Sequence, residues 1–494
     1  MSVISIIGSG FSGLSAACYL AQKGVEVHVF EKNEMPGGRA RQFTTENGFV
    51  FDMGPSWYWM PDVFEDFFND FNKKVSDYYT LDLLQPAFDI IFEKGELESI
   101  PNNFDELCVL FEKIEKGGAE KLKQFMVEAQ YKYDTAMSGL IYKPGISVTE
   151  FAKLDVIKGV FRLEIFSSFS KHIRKFFKNE KLIALMEFPI LFLGAMPKDT
   201  PALYSLMNYA GLKLGTWYPQ GGFGKVIESF VELAKSLGVQ FHFNSTVEKI
   251  NSENGKSNSI LVNGNLFTHD GVVASADYNH VETKLLNNKE ANYSNEYWEK
   301  KTFAPSSLLF YLGLNKKIDN INHHTLFFDT PIEQHAIEIY QTPKYPSNPL
   351  FYMCCPSKTD ANVAPEGCEN VFLLMPIAAG LEDNEETREN YFKIMLKRIE
   401  NQFEIEIENH IIYKKSYCVN DFIADYNSFK GNAYGLANTL MQTAILKPKM
   451  INKKIKNLIY AGQLTVPGPG VPPSIISGKI ASELMLSYLE KNIK

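Results

Sequence analysis

Hydrophobic positions in the first thirty residues change their spacing twice. The apolar run from Val3 to Ile7 has the continuous pattern of a buried parallel strand. Apolar residues then recur at helical spacing from Leu14 to Ala21, and valines alternate with polar residues in the stretch that follows. The pattern predicts a strand, a helix and a second strand, which is the order of a parallel βαβ unit.

Three glycines, Gly8, Gly10 and Gly13, fill the predicted first turn in the order GxGxxG. In a dinucleotide-binding turn, the first allows the sharp bend, the second lets the backbone approach a pyrophosphate, and the third lets helix pack on strand. Glu31 closes the second strand about 20 residues later, where a carboxylate binds a ribose diol and disfavours NADP. A glycine turn also serves plain strand-helix packing, but the register of all these features predicts a dinucleotide site, with FAD and NAD both open.

A second strand-loop-helix pattern lies near the end of the chain. Residues 457–461 read as a strand that ends at Gly462, and helical spacing resumes after Pro472 and Pro473. Between them, prolines fix φ angles and glycines allow close approach to a ligand. The pattern predicts a second helix N-terminus directed at the cofactor, with a stiff surface turn as the alternative. The predicted binding residues here are Gly462, Gly468, Gly470 and Val471.

The middle of the chain carries three further patterns. Four phenylalanines at positions 64, 67, 68 and 71 predict an amphipathic helix with Pro61 in its first turn. Residues 217–241 predict a glycine-rich turn, a helix from about Lys225, a stop at Gly238 and a strand. Residues 246–277 alternate like a β-meander, and their end at Asp277 is a third candidate contribution to the cofactor site.

Composition narrows the functional classes. The chain has 494 residues and a formal net charge of −8, which argues against nucleic acid as the main partner. Its six cysteines show no CxxC spacing, and no metal site is predicted; the adjacent His323 and His324 are interpreted as loop or strand residues. The most apolar stretch, 182–196, is broken by Glu187 and Pro189, so no membrane span is predicted. With no signal peptide pattern at the N-terminus, we expect the cytoplasmic side.

The sequence resembles a known flavoprotein family at several points. Gly37, Gly38 and Arg39 follow Glu31 as in the superfamily of amine oxidases and carotenoid desaturases, where the arginine lies near the FAD phosphates. Blocks resembling the bacterial-type phytoene desaturases run in order along nearly the whole chain, at 51–68, 217–241, 363–376, 426–444 and 457–479. The resemblance implies FAD as the cofactor, with Gly54 of the first block at its site. It also implies association with a membrane surface and desaturation of phytoene toward lycopene, with oxygen or a quinone as acceptor.

The resemblance and the patterns together predict an α/β fold. A Rossmann-like FAD-binding domain is built from the discontinuous segments 1–85, 216–290 and 426–494. An inserted α+β substrate and membrane-association domain comprises a helical part, 86–215, and a sheet, 291–425. The basic amphipathic stretch 151–178 is equally typical of a helix on an anionic membrane and of a core helix with a solvated basic face.

Desaturation of a hydrocarbon leaves most of the chemistry to the flavin. In some relatives an acidic residue is proposed to assist, near a segment that corresponds to 176–182 here, which makes Glu180 the candidate catalytic acid; a solvated helix carboxylate is the alternative. The aromatic residues 57–59 are candidates for the wall of a polyene tunnel. Alternative functions are desaturation of diapophytoene or a hydroxylated carotenoid, amine oxidation, and non-redox binding of prenyl lipids. The oligomeric state is left open.

Overall fold

A parallel five-stranded sheet joins segments from across the chain. The computed structural model describes residues 1–146, 163–164, 167–192 and 194–492. The order across the sheet is Leu458–Tyr460, Gly271–Ala274, Val3–Ile7, Glu26–Phe30 and Gln240–His242. The C-terminal strand thus lies in the same sheet as the N-terminal βαβ unit. This arrangement confirms the predicted Rossmann-like fold from discontinuous segments.

Three helices pack together beside this sheet: Phe11–Gln22, Gly222–Ser236 and Val471–Asn492. The second begins three residues before the predicted start at Lys225. The third begins at Val471, so that Pro472 and Pro473 lie inside its first turn rather than before it. Proline is tolerated there because the N–H groups of a first turn have no partner within the helix.

A seven-stranded sheet forms the second layer of the molecule. Its order is Ile411–Tyr417, Ser306–Leu314, Glu369–Ile377, Phe351–Cys354, His324–Phe327, Phe88–Ile91 and Leu97–Ile100. Neighbours are antiparallel except His324–Phe327 and Phe88–Ile91, which are parallel. Two of these strands come from the segment 86–215, which the sequence analysis predicted as helical. The domain boundaries themselves stay a prediction.

The remaining strands form small sheets. The predicted meander is confirmed as a three-stranded sheet of Val247–Glu253, Lys256–Val262 and Asn265–Thr268. Two further sheets have two antiparallel strands each: Gln42–Thr44 with Val50–Asp52, and Leu81–Leu83 with Trp217–Pro219. The other α-helices described are Pro61–Asn69, Phe104–Ile114, Gly118–Thr135, Phe169–Phe176, Glu180–Phe192, Leu206–Leu212, Tyr278–His280, Asn295–Glu299, Ile332–Tyr340, Glu385–Phe403 and Val419–Tyr426.

The phenylalanine-rich helix, Pro61–Asn69, is confirmed, and its apolar face is buried, with Phe67 stacked on Phe230 at 4.2 Å between ring centroids. Half of the basic stretch 151–178 lies outside the described residues, and its described helix is Phe169–Phe176. Within the described ranges, no helix is both long and apolar enough to cross a membrane.

Candidate functional site

A large cavity opens beside the parallel sheet and is lined by both ends of the chain. Its empty volume, which includes the open mouth, is about 1670 Å³. Residues 275–277, which follow the strand Gly271–Ala274, also line it. Of the residues predicted from the sequence, those that line this cleft are Gly8, Gly10, Glu31, Gly38, Arg39, Gly54, Gly462, Gly470 and Val471. Tertiary structure therefore brings together two loops that lie more than 400 residues apart.

The glycines of the N-terminal turn have different surroundings. A Cβ atom at Gly13 would lie 2.1 Å from the carbonyl oxygen of Gly8, so only glycine lets the helix approach the turn this closely. A Cβ atom at Gly10 would meet only the Cα of Gly38, at 3.9 Å. Gly10 precedes the helix Phe11–Gln22 and has no side-chain cap. Gly13 therefore packs helix against strand, whereas Gly10 leaves space for a ligand at a helix N-terminus.

Glu31 is buried and holds the glycine turn in place. Its Oε2 accepts hydrogen bonds from the backbone N of Ser9 at 3.0 Å and from the Ser9 hydroxyl at 2.8 Å. Its Oε1 accepts from the backbone and side-chain nitrogens of Asn33, at 3.0 and 2.9 Å. Sequence reasoning assigned Glu31 to the ribose and missed this role in the turn. Replacing it would disturb the turn and the ligand contact together.

Arg39 is a buried cation that lines the cleft. Its Nη2 donates to the Ser428 hydroxyl and the Asn432 carbonyl, each at 3.3 Å, and the guanidinium stacks over the ring of Tyr426 at 4.9 Å. Its Nε is buried and has no hydrogen-bond partner among the described residues. Burial lowers the pKa of Arg39. A buried cation that lines the cleft favours an anionic ligand such as the pyrophosphate of a dinucleotide.

Gln463 lines the cleft beside Arg39. With its amide oriented to satisfy its neighbours, the oxygen accepts from Arg39 Nη2 at 3.1 Å and the nitrogen donates to the Ala433 carbonyl at 3.1 Å. A neutral amide therefore orients the arginine without neutralising its charge. The hydrogen bond between Gln463 and Arg39 could not be predicted from the amino-acid sequence.

Asp277 is a buried carboxylate at the same cleft. It caps the short helix Tyr278–His280 by accepting from the backbone N of His280 at 3.2 Å. Burial raises the pKa of Asp277 to about 6, while the charge of Arg39 acts in the opposite direction. Its protonation therefore changes between mildly acidic and neutral pH.

We expect Asp277→Asn to flatten the pH dependence of the apoprotein's stability. Because the folded pKa lies above the ordinary value, the unfolded chain ionises first, and the stability contributed by neutral Asp277 is lost as pH rises from about 4 to about 6. Asparagine keeps the cap but cannot ionise. As pH rises across this range, the thermal unfolding midpoint of the wild type should decrease relative to that of the Asp277→Asn variant. Asp199→Asn, at an exposed carboxylate, is the matched control; equal slopes for wild type and Asp277→Asn would contradict the expectation.

Other predicted site residues lie away from the cleft. Gly468 faces Lys447 and Asn438, and a Cβ there would lie 3.3 Å from the lysine Nζ. Glu180 begins a helix with its side chain 75% exposed and paired with Arg174 at 2.9 Å. The structure therefore shows no contact of Glu180 with the cleft, and the solvated-carboxylate alternative describes its surroundings.

A second, apolar cavity adjoins the first. Leu374 and Tyr434 line both cavities. The apolar cavity has an empty volume of about 650 Å³, and none of its described lining residues is Asp, Glu, Lys or Arg. Its one histidine, His335, has both ring nitrogens occupied, because Nε2 donates to the Pro376 carbonyl and Nδ1 accepts from the Leu350 backbone, each at 2.8 Å. The lining is thus almost wholly apolar.

The aromatic residues predicted as a tunnel wall lie behind this lining. Phe188 lines the cavity, and Trp57 and Trp59 contact Phe188 at 5.9 and 6.0 Å between ring centroids. Tyr58 is buried against Phe64 at 4.2 Å. The described cavity wall instead comes mainly from the seven-stranded sheet and the helix Ile332–Tyr340. Sequence reasoning missed these residues because they come from separate strands with ordinary core patterns.

Comparisons with known proteins agree with this architecture. Residues 11–486 match the family described as flavin containing amine oxidoreductase. The chain is 39% identical, over 98% of both chains, to a carotenoid 3,4-desaturase of Haloarcula japonica. It is 28% identical to a zeta-carotene-forming phytoene desaturase of Myxococcus xanthus, over 98% of this chain and 94% of that one. It is also 28% identical to a 4,4'-diapophytoene desaturase of Staphylococcus aureus, over 99% of this chain and 100% of that one.

Solved structures show the same fold at low identity. An oxidoreductase of Methanosarcina mazei matches 97% of this chain and 100% of its own, with a TM-score of 0.65 and 16% identity. A putrescine oxidase matches 98% of this chain and 99% of its own, with a TM-score of 0.62 and 13% identity. The open helix N-terminus at Gly10 and the buried cation Arg39 fit the phosphates of FAD. The chain is therefore an FAD-binding member of the flavin-containing amine oxidoreductase family and, within it, belongs to the carotenoid desaturases.

Proposed function

We propose that this chain desaturates a carotenoid whose reacting carbons lie where the apolar cavity meets the FAD cleft. The observation that carries the proposal is that the apolar cavity lies beside the FAD cleft, with Leu374 and Tyr434 lining both. A carotenoid is a long hydrocarbon, and burial of its surface drives binding only where the walls are apolar. The relatives named as carotenoid desaturases support the same substrate class.

The reaction removes a hydride and a proton from adjacent carbons. Bound FAD supplies the hydride acceptor. The protein positions the polyene and keeps water out, and Tyr340, Tyr352 and Tyr434 contribute aromatic surface to the cavity wall. Burial raises the pKa of Tyr434 to about 12, so that its hydroxyl stays protonated at neutral pH. A lining without described carboxylates or ammonium groups suits a substrate that offers no polar handle.

Two reactions are candidates within this class. Conversion of phytoene toward lycopene is the reaction implied by the sequence resemblance, and a phytoene desaturase is among the relatives. Desaturation of another carotenoid at the 3,4 position is favoured by the 39% identity to a carotenoid 3,4-desaturase, against 28% to the phytoene desaturase. Because the sequence identity to the 3,4-desaturase is higher, we propose 3,4-desaturation as the first candidate reaction.

Expression in two bacterial hosts distinguishes the candidates, one accumulating phytoene and the other lycopene. Pigments are separated by chromatography, and their absorption reports the number of conjugated double bonds. New, longer-wavelength pigment only in the lycopene host supports 3,4-desaturation, and lycopene formed in the phytoene host supports the alternative. If both hosts keep their pigments while the purified protein contains FAD, the proposal for these carotenoids fails.

Ala336 offers a direct test of the apolar cavity. It is buried on the helix Ile332–Tyr340 and lines the cavity. We expect Ala336→Phe to lower carotenoid conversion, and Ala336→Trp to lower it further, because a larger side chain fills the space beside the substrate. FAD content and thermal unfolding midpoint are measured in parallel. Glu333→Phe, at an exposed position on the same helix, is the control. Equal conversion by the wild type and by Ala336→Trp would show that the substrate does not occupy this cavity.

We also propose that the protein works at a membrane surface on the cytoplasmic side, because its substrate class dissolves in lipid. Co-sedimentation with vesicles of neutral and anionic lipids tests this. Binding that rises with the anionic fraction and falls with salt supports a basic contact surface. Absence of binding to both vesicle types contradicts membrane association.

A further inference from the structure

Three side chains with metal-binding atoms meet behind the cleft: His323, His324 and Cys354. His324 lies opposite Cys354 in the antiparallel pair formed by His324–Phe327 and Phe351–Cys354, and His323 directly precedes this strand. One ligand atom of each residue lies within 4.8 Å of the other two. The three residues are 4%, 0% and 1% exposed. Proximity of this kind is a consequence of strand register and not of sequence spacing.

The imidazoles are held in the orientation that metal binding requires. His323 Nδ1 lies 2.7 Å from the Thr359 hydroxyl, and His324 Nδ1 lies 2.6 Å from the Tyr352 hydroxyl. Tyr352 donates its own proton to Ser56 Oγ at 3.0 Å, which leaves its oxygen to accept from the His324 Nδ1–H. The lone pair of His324 then resides on Nε2. Such hydrogen bonds at the second nitrogen are typical of histidine ligands.

The two Nε2 atoms are otherwise unexplained. Both are buried, and neither has a hydrogen-bond partner within the described parts of the chain. A buried polar atom without a partner costs about 1–3 kcal/mol. The desaturation proposed above uses neither atom.

We propose that His323, His324 and Cys354 bind one zinc-class cation. Two imidazoles and a cysteine thiolate can bind zinc in a tetrahedral site, and binding of the cation would release the proton of the Cys354 thiol. His323 and Cys354 also line a small cavity that includes Asp52 and shares Gly54 with the FAD cleft. The cation would join two strands of the seven-stranded sheet. This proposal revises the prediction of no metal site and does not depend on the carotenoid substrate.

Cobalt binding to the wild-type holoenzyme tests the proposal. Protein without a polyhistidine tag is treated with a chelator, retains its FAD, and is titrated with Co²⁺ alone under reducing conditions. We expect one equivalent to bind with a thiolate-to-cobalt charge-transfer band, and Zn²⁺ to remove that band by displacement. Absence of the band in the wild type overturns the proposal. Displacement by Cu⁺ but not by Zn²⁺ overturns the assignment to zinc.

Variants then locate the site. Cys354→Ala and His323→Ala should lose the band, while Cys368→Ala and His410→Ala, outside the cluster, should keep it. Thr359→Val removes only the hydrogen bond to His323 and should weaken cobalt affinity by about ten- to hundred-fold. The FAD absorption spectrum of each variant reports that it has folded. A band that persists in folded Cys354→Ala places the thiolate elsewhere and overturns the proposal.

Discussion

Gly10→Ala should abolish FAD binding and leave the apoprotein as stable as the wild type. The added methyl group has room within the protein, since its nearest neighbour is the Gly38 Cα at 3.9 Å, and Gly10 has an ordinary φ of −74°. In the holoenzyme, however, the methyl group would occupy the space that lets a pyrophosphate approach the backbone. FAD occupancy by absorption and thermal unfolding of the apoprotein measure the two effects separately.

Gly13→Ala is the matched comparison, three residues along the same motif. Its methyl group would lie 2.1 Å from the Gly8 carbonyl oxygen, a backbone atom that cannot move without opening the turn. We expect the apoprotein to lose roughly 1–3 kcal/mol of unfolding free energy, and FAD binding to fall as a consequence. If Gly10→Ala lowered apoprotein stability as much as Gly13→Ala, the assignment of separate roles to the two glycines would be wrong.

Gly478→Ala should weaken FAD binding from the opposite end of the chain. Gly478 lies where the C-terminal helix crosses the first helix, and a Cβ there would lie 2.4 Å from the Ser12 carbonyl oxygen. A hydrogen bond from Ser15 Oγ to the Ile475 carbonyl, at 2.8 Å, joins the helices at the same crossing. Separating these helices would separate the two loops that line the cleft. We expect the Kd for FAD to rise at least about tenfold.

Titration of apoprotein with FAD, followed by fluorescence, measures this change. Glu490→Ala, exposed on the same helix, is the control and should bind FAD as the wild type does. Removal of all residues after Tyr460 should abolish flavin binding, but such a truncation also removes a buried helix and cannot separate folding from binding. Wild-type affinity in a folded Gly478→Ala variant would show that the crossing does not set the geometry of the cleft.

The dinucleotide site could be predicted because its signals are local. A strand, a tight turn, a helix and a closing carboxylate each leave a pattern over a few residues, and only glycine meets the packing requirement at position 13. The C-terminal loop could be predicted for the same reason, although its helix starts at Val471, three residues earlier than the predicted start after Pro473. The contact between Gln463 and Arg39 was not visible, because it joins residues 424 positions apart.

Long-range packing explains the other differences. The tunnel wall was predicted from a run of aromatic residues at 57–59, yet these fill the core behind Phe188. The apolar cavity is bounded by residues on several strands and one helix, each of which has the pattern of an ordinary core residue. Likewise, His323 and His324 meet Cys354 only through the register of two antiparallel strands.

By itself, the sequence determined the parallel βαβ unit, the FAD motif at both ends of the chain, and the family to which the chain belongs. Periodicity, glycine placement and capping act within a few residues, so they are written directly into the order of the amino acids. Only the tertiary structure decided that the two ends form one cleft, that an apolar cavity lies beside it at Leu374 and Tyr434, and that Glu180 lies on the surface. These features depend on strand order and helix crossings between distant segments, which local pattern does not specify.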